Sequence, residues 1–184
     1  MKKEIGSELC LYPTPLVIVG AMVNEKPNWI LIGHTGIIDF STISISLNKR
    51  HYTNQGIKEN KAFSINLVDE SFLKEADYTG IVSGNKTSKE NLFKYNIGTT
   101  GAPMIEKSLL SIDCKLVDIY ETDTFENFIA KVENNYADES ILDENNKIDY
   151  DKFKPILFEK PSWKYLKTGE IVGKCRKMGN KNEQ

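Results

Sequence analysis

The sequence predicts a mainly β domain, a barrel or sandwich decorated by short helices. Short apolar-alternating strands recur along the chain, the helical stretches between them are brief, and 184 residues with 40% hydrophobic content suffice for one continuous core. A single domain is expected over residues 1–184, its basic tail fraying from about residue 176.

The elements follow from local chemistry. Pro13 and Pro15 fix an extended lead-in around Thr14, and Leu16 to Val23 reads as a buried strand closed by a turn at Asn24 to Pro27. Trp29 to Gly33 resumes the extended pattern as a hairpin partner, followed by a loop from His34 to Asp39. In Thr42 to Leu47, Ile43, Ile45 and Leu47 share one face while Thr42, Ser44 and Ser46 share the other. Thr53 caps a short, mostly solvated helix through Lys61. Phe63 to Val68 alternates again and is long enough to pair with the Thr42 strand.

Beyond it, Phe72, Leu73 and Ala76 are spaced for a helix over Ser71 to Tyr78, with Asp69 and Ser71 as capping groups and Gly80 as its stop. Ser88 to Tyr95 reads as another short helix with Leu92 and Phe93 buried. Leu109 to Tyr120 and Phe125 to Val132 form an antiparallel pair across the Glu121 to Thr124 turn. Asn134 to Asp149 is acidic and loop-like, Tyr150 to Lys154 adds one helical turn before Pro155, and Ile156 to Glu159 is a last strand.

Composition excludes several functions. A formal net charge of -2 leaves no basic excess for duplex nucleic acid. The start is too polar for a signal peptide, and the apolar run Leu16 to Val23 is too short to span a bilayer. Cys10, Cys114 and Cys175 are widely spaced and odd in number, which fits reduced thiols in a cytoplasm rather than a disulfide framework or zinc ribbon. His34 and His51 lack carboxylates at metal-ligand spacing, so no metal is expected. Neither a GxSxG elbow nor a GxGxxG fingerprint is present, so any hard chemistry falls to a bound cofactor.

The polar corner Asn48, Lys49, Arg50, His51, Tyr52, Thr53 is the sharpest chemical signal. A phosphate monoester needs charge-assisted donors, and the arginine, lysine, hydroxyls and helix-start amides supply them. A solvated turn that happens to carry charge is the competing reading of the same residues. Ser83 to Thr87 does not have Walker spacing, since three residues rather than four separate Gly80 from Gly84 and Asn85 precedes Lys86. This loop meets a phosphate through Ser83, Gly84 and Lys86, or is an ordinary turn. Trp29, Trp163 and Tyr165 are stacking candidates for a flat ring, with core packing the favoured reading for Trp29.

The order of these features resembles the flavin reductase-like (flavoredoxin) family. The matching residues are Tyr12 to Pro15, Pro27-Asn28, Ser46 to Thr53, Gly56 to Lys61, Ala62 to Val68, Ser83-Gly84 with Lys89, Leu109 to Leu116, and Tyr165 to Gly173. The resemblance covers nearly the whole chain and implies a Greek-key split β-barrel, a homodimer, and FMN near the subunit interface. It also implies that Arg50, His51, Tyr52 and Thr53 meet the phosphate, with Lys86 or Lys89 adding charge. Ser46 and Asn48 would lie beside the ribityl chain or ring, Thr35 and Gly36 would face the isoalloxazine, and the backbone of Asn66, Leu67 and Val68 would border its pyrimidine edge. Where the family often has a double proline, this chain reads Ile38 to Ser41, which bears on substrate choice.

The expected function is an FMN-dependent oxidoreductase that moves electrons from NAD(P)H or a redox protein to an acceptor, without a protein nucleophile. FMN acting as a diffusible substrate is a second version. A non-catalytic FMN-binding electron-transfer module is the alternative from another class.

Overall fold

The computed structural model describes residues 1–179. The chain opens with β1 (Thr14–Pro15), β2 (Val17–Val23) and β3 (Lys26–Ile32). β2 and β3 pair antiparallel through Asn24 and Glu25, whose φ values of 49° and 62° make the left-handed two-residue turn that matches strand twist. The predicted Asn24 to Pro27 turn therefore contracts to two residues, and Pro27 sits inside β3, an edge strand that tolerates it.

The expected loop after β3 contains a strand, β4 (Thr35–Ile37), paired with β5 (Thr42–Asn48). Helix α1 (Thr53–Asn60) leads to β6 (Ala62–Leu67), and a 3-10 turn at Glu70–Phe72 leads into α2 (Leu73–Ile81). Asp69 accepts from the Ser71 amide as predicted, but α2 runs through Gly80 instead of stopping there. Short strands β7 (Tyr95–Ile97) and β8 (Pro103–Ile105) precede the long pair β9 (Leu110–Glu121) and β10 (Phe125–Ala137), and β11 (Ile156–Glu159) with β12 (Lys164–Lys167) closes the order.

Seven strands form one antiparallel sheet in the order β3-β2-β6-β9-β10-β5-β4. Its two edge strands, β3 and β4, are consecutive in the chain and joined by Gly33 and His34 alone. A flat seven-stranded sheet cannot satisfy so short a link, so the sheet curls until its edges meet there. The Ser46 amide donates to the His34 carbonyl, which extends the β4–β5 ladder into that link. The sub-order β6-β9-β10-β5 is a Greek key, with α1 making the long return, and the fold is a split β-barrel.

The expected pairing of the Thr42 and Phe63 strands is not made: β9 and β10 lie between them. β6 is paired on its two sides by β2 and β9, and β5 by β10 and β4, so neither has a free edge for the other. Val17, Val19, Ile45, Leu47, Phe63, Ile65 and Phe128 fill the barrel interior. On the outer face of β2, Leu16, Ile18 and Trp29 pack with Phe72, Ala76 and Phe93. Burial on both faces explains the unbroken apolar run from Leu16.

Other expectations are corrected. Tyr52, not Thr53, is the residue before α1, and the Thr53 hydroxyl instead accepts from Asn28 Nδ2 at 2.7 Å. α1 is half buried, with Thr53, Asn54, Gly56 and Ile57 turned inward and Gln55, Lys58, Glu59 and Asn60 exposed. A Cβ on Gly56 would lie 2.1 Å from the Met22 carbonyl oxygen, so the helix packs on β2 by backbone contact. Residues 88–94 are turns rather than a helix, although Phe93 is buried, and β10 extends to Ala137 into the segment read as loop. Tyr150 to Lys152 make a turn. Residues 180–184 of the tail expected to fray lie outside the described residues, within which no helix is long and apolar enough to cross a membrane.

Candidate ligand cleft

The barrel seam opens into a cleft of about 470 Å³. The alternation of β5 positions its rim: Ile45 and Leu47 point inward, so Ser46 and Asn48 face the cleft. Leu31, Ile32 and His34 come from the β3–β4 junction, Ile81 from α2, and Phe125 from β10. The β11–β12 hairpin covers the opposite side with Phe158, Lys160, Trp163 and Tyr165. Phe158 and Trp163 meet edge to face at 5.9 Å between centroids, and the Tyr165 hydroxyl donates to Asp77 of α2. Burial, then Asp77, pushes the Tyr165 pKa up. Apolar walls with few polar groups suit a flat aromatic ring.

A hollow of about 90 Å³ adjoins the cleft and shares His51, Gly80 and Ile81 with it. Tyr52, Thr53, Ser83, Gly84 and Lys89 complete its wall. Lys89 is 3% exposed, and its ammonium donates to the Trp29 carbonyl at 2.8 Å and the Thr79 carbonyl at 2.7 Å. Among the described residues no carboxylate pairs with it, so one of its three protons has no acceptor in the protein. Burial lowers its pKa to about 8. Burial, then the Lys89 charge, also lowers that of His51. Thr53 accepts from Asn28, which leaves its own proton to donate. A Cβ on Gly84 would stand 2.6 Å from Asn28 Oδ1 and 2.7 Å from Tyr52 Cδ1, so only glycine lets this loop close the hollow. Cationic, donor-rich and free of acid, the hollow has the chemistry of an anion site.

The structure therefore brings Ser46, Asn48, His51 and Tyr165 together around the cleft, and His51, Tyr52, Thr53, Ser83, Gly84 and Lys89 around the hollow. Lys49 and Arg50 line a separate, open hollow on the outer side, where His51 and Tyr52 also border. There Lys49 pairs with Glu121 at 2.8 Å. Of the two lysines, Lys89 lines the anion site, while Lys86 is exposed beside Asn24 and Lys26.

Thr35 and Gly36 pair with Ile45 and Ser44 in the sheet and line none of these hollows. Asn66, Leu67 and Val68 lie elsewhere, with their polar groups engaged. Asn66 Nδ2 donates to the Ile18 carbonyl and its Oδ1 accepts from the Ile105 amide and the Ser111 hydroxyl. The Leu67 carbonyl accepts from Ser108, and Val68 exchanges backbone bonds with Leu16 and Ile156. Trp29 is fully buried in the outer core. Sequence reasoning missed His34, Phe125, Phe158 and Lys160, which carry no local motif.

Comparisons with known proteins give a consistent result. The family model for the flavin reductase like domain matches residues 9–159. The crystal structure of flavoredoxin from Methanosarcina acetivorans is 32% identical with a TM-score of 0.93, covering 97% of each chain. Flavoredoxin of Desulfovibrio vulgaris (Miyazaki F) is 31% identical with a TM-score of 0.90, over 98% of this chain and 100% of that one. An FMN-binding protein from Thermus thermophilus shares the fold at 18% identity and a TM-score of 0.79, over 95% of this chain and 99% of that one. An uncharacterized protein of Aquifex aeolicus (strain VF5) is 27% identical over 143 residues, which span 73% of this chain and 66% of that protein.

Proposed function

Because the chain belongs to the flavin reductase-like family of flavin-binding oxidoreductases, we propose that it binds FMN and moves electrons from NAD(P)H or a redox protein to an acceptor. The observation that carries this reading is the buried, acid-free Lys89 hollow opening at His51 into an aromatic cleft. Their sizes and chemistries fit a phosphate joined to a planar ring. Lys89, Thr53 and Ser83 would hold the phosphate, with His51 and Tyr52 at its edge and Arg50 adding positive potential from the outer hollow. Ser46 and Asn48 would border the ribityl chain, and Phe125, Phe158 and Trp163 would exclude water from the ring. The chemistry that FMN supplies when bound is reversible two-electron transfer at that ring.

A homodimer is part of the same proposal. Ile37, which ends edge strand β4, and Ile38 and Phe40 just after it are 88%, 51% and 112% exposed, an apolar ridge suited to a second copy. The unpaired cysteines Cys10, Cys114 and Cys175 suit a cytoplasmic setting.

Fluorescence titration with FMN tests the cofactor: saturable quenching and a flavin absorbance band retained through gel filtration are expected, and no uptake overturns the reading. Anaerobic mixing with NADH or NADPH then identifies the donor. Bleaching by either nucleotide supports a reductase, and bleaching only through a reduced electron-transfer protein makes the protein a carrier.

A further inference from the structure

His34 is the imidazole of the cleft that the flavin reading leaves without a role. It sits where the barrel edges meet, and its ring lines the cleft. Nε2 lies 2.8 Å from the Tyr12 hydroxyl, and Phe125 packs edge-on at 6.0 Å between centroids. Nδ1 meets no hydrogen-bond partner among the described residues.

The partner's chemistry is informative. A carboxylate at Nε2 would hold the imidazole as a cation. A hydroxyl donates to a neutral imidazole and accepts from a protonated one, so Tyr12 fixes the ring in place and leaves its charge free to change. The other titratable groups facing the cleft are Lys160 from the β11–β12 turn, His51, and Asp77 with Tyr165. Burial, then Lys160, holds the His34 pKa below its ordinary value, so both disfavour the imidazolium in the ligand-free protein.

We propose that His34, positioned by Tyr12, is the residue through which the cleft answers charge on the planar ring it holds, neutral beside an uncharged ring and protonated beside an anionic one. The inference rests on the flavin reading, since FMN is a ring that gains negative charge on two-electron reduction. An anion in the cleft opposes the field of Lys160 and offsets the desolvation of an imidazolium. The proton comes from solvent and stays on the imidazole, Tyr12 turns from donor to acceptor, and no electron passes through His34.

The chain has only two histidines, so two imidazole Cε1–H resonances report the whole titration by NMR, assigned with His34→Gln and His51→Gln. FMN is first titrated into the wild-type protein, and the two pKa values are then followed before and after dithionite reduction. The expected result is binding, followed by a rise of the His34 pKa by about one unit or more on reduction, a tenfold gain in proton affinity. Tyr12→Phe reduces that rise, because the ring is no longer fixed beside the flavin. His34→Gln makes the pH slope of the midpoint potential shallower by up to one proton per two electrons. A bound flavin whose reduction leaves the His34 pKa unchanged overturns this inference while the flavin reading stands. Failure of FMN to bind overturns both.

Discussion

At Lys89 an ammonium has given up most of its hydration and received two carbonyl oxygens in return, an arrangement that favours loss of its proton unless an anion arrives. With a pKa of about 8, it is cationic below that value and neutral above. FMN affinity should therefore fall as pH rises past 8, by about tenfold per unit until the pKa of the complex is reached. Fluorescence titrations between pH 7 and 10 check this. Lys89→Gln should flatten the profile and weaken binding at pH 7 by about 1.5 to 3 kcal/mol, the worth of a hydrogen bond to a charged group. Arg50→Ala should weaken it less, since Arg50 lines the outer hollow. The same shift acts on the stability of the ligand-free protein with the opposite trend. Between pH 8 and the ordinary lysine range the unfolded chain binds more protons than the folded one, so the contribution of Lys89 to stability rises with pH across that window. Comparing urea midpoints of wild type and Lys89→Gln across the window measures it.

At the scale of elements, two packing devices hold the cleft. The β11–β12 hairpin is tied to the α2 region by Tyr165 to Asp77 and by the ion pair of Lys167 with Glu70. Tyr165→Phe should loosen this arm by about 1 kcal/mol, seen as faster amide exchange over residues 156–167 with β2 and β6 unchanged. Helix α1, which carries Thr53 into the anion site, rests on β2 through Gly56. Gly56→Ala should cost at least about 1 to 3 kcal/mol, because the added methyl meets the Met22 carbonyl rather than a yielding side chain. A urea midpoint unchanged from wild type would show that α1 can shift at no cost.

For the whole molecule, the apolar ridge at Phe40 is a prediction about assembly: Phe40→Asp should convert the proposed dimer to a monomer in sedimentation experiments. The strands were legible because their periodicity is local: β2, β5, β6 and the β9–β10 pair lie where alternation or apolar runs placed them. The polar corner from Asn48 to Thr53 was legible as a cluster, but not that Lys49 and Arg50 line a different hollow from Thr53. Pairing partners were not legible, since Thr42 and Phe63 alternate alike and only the curled sheet places β9 and β10 between their strands. The lysine of the anion site was equally undecided, because Lys86 and Lys89 sit three residues apart in one polar stretch and differ only in burial. The sequence by itself determined, through local periodicity, a mainly β chain with short helices, and the order of its motifs carried the resemblance to the flavin reductase-like family and its split barrel. The tertiary structure alone decided that Lys89 loses its water, that Arg50 stays outside, and that His34 stands against Tyr12 at the seam. Burial and proximity across a closed sheet are properties of distant residues brought together, and no local stretch of chain encodes them.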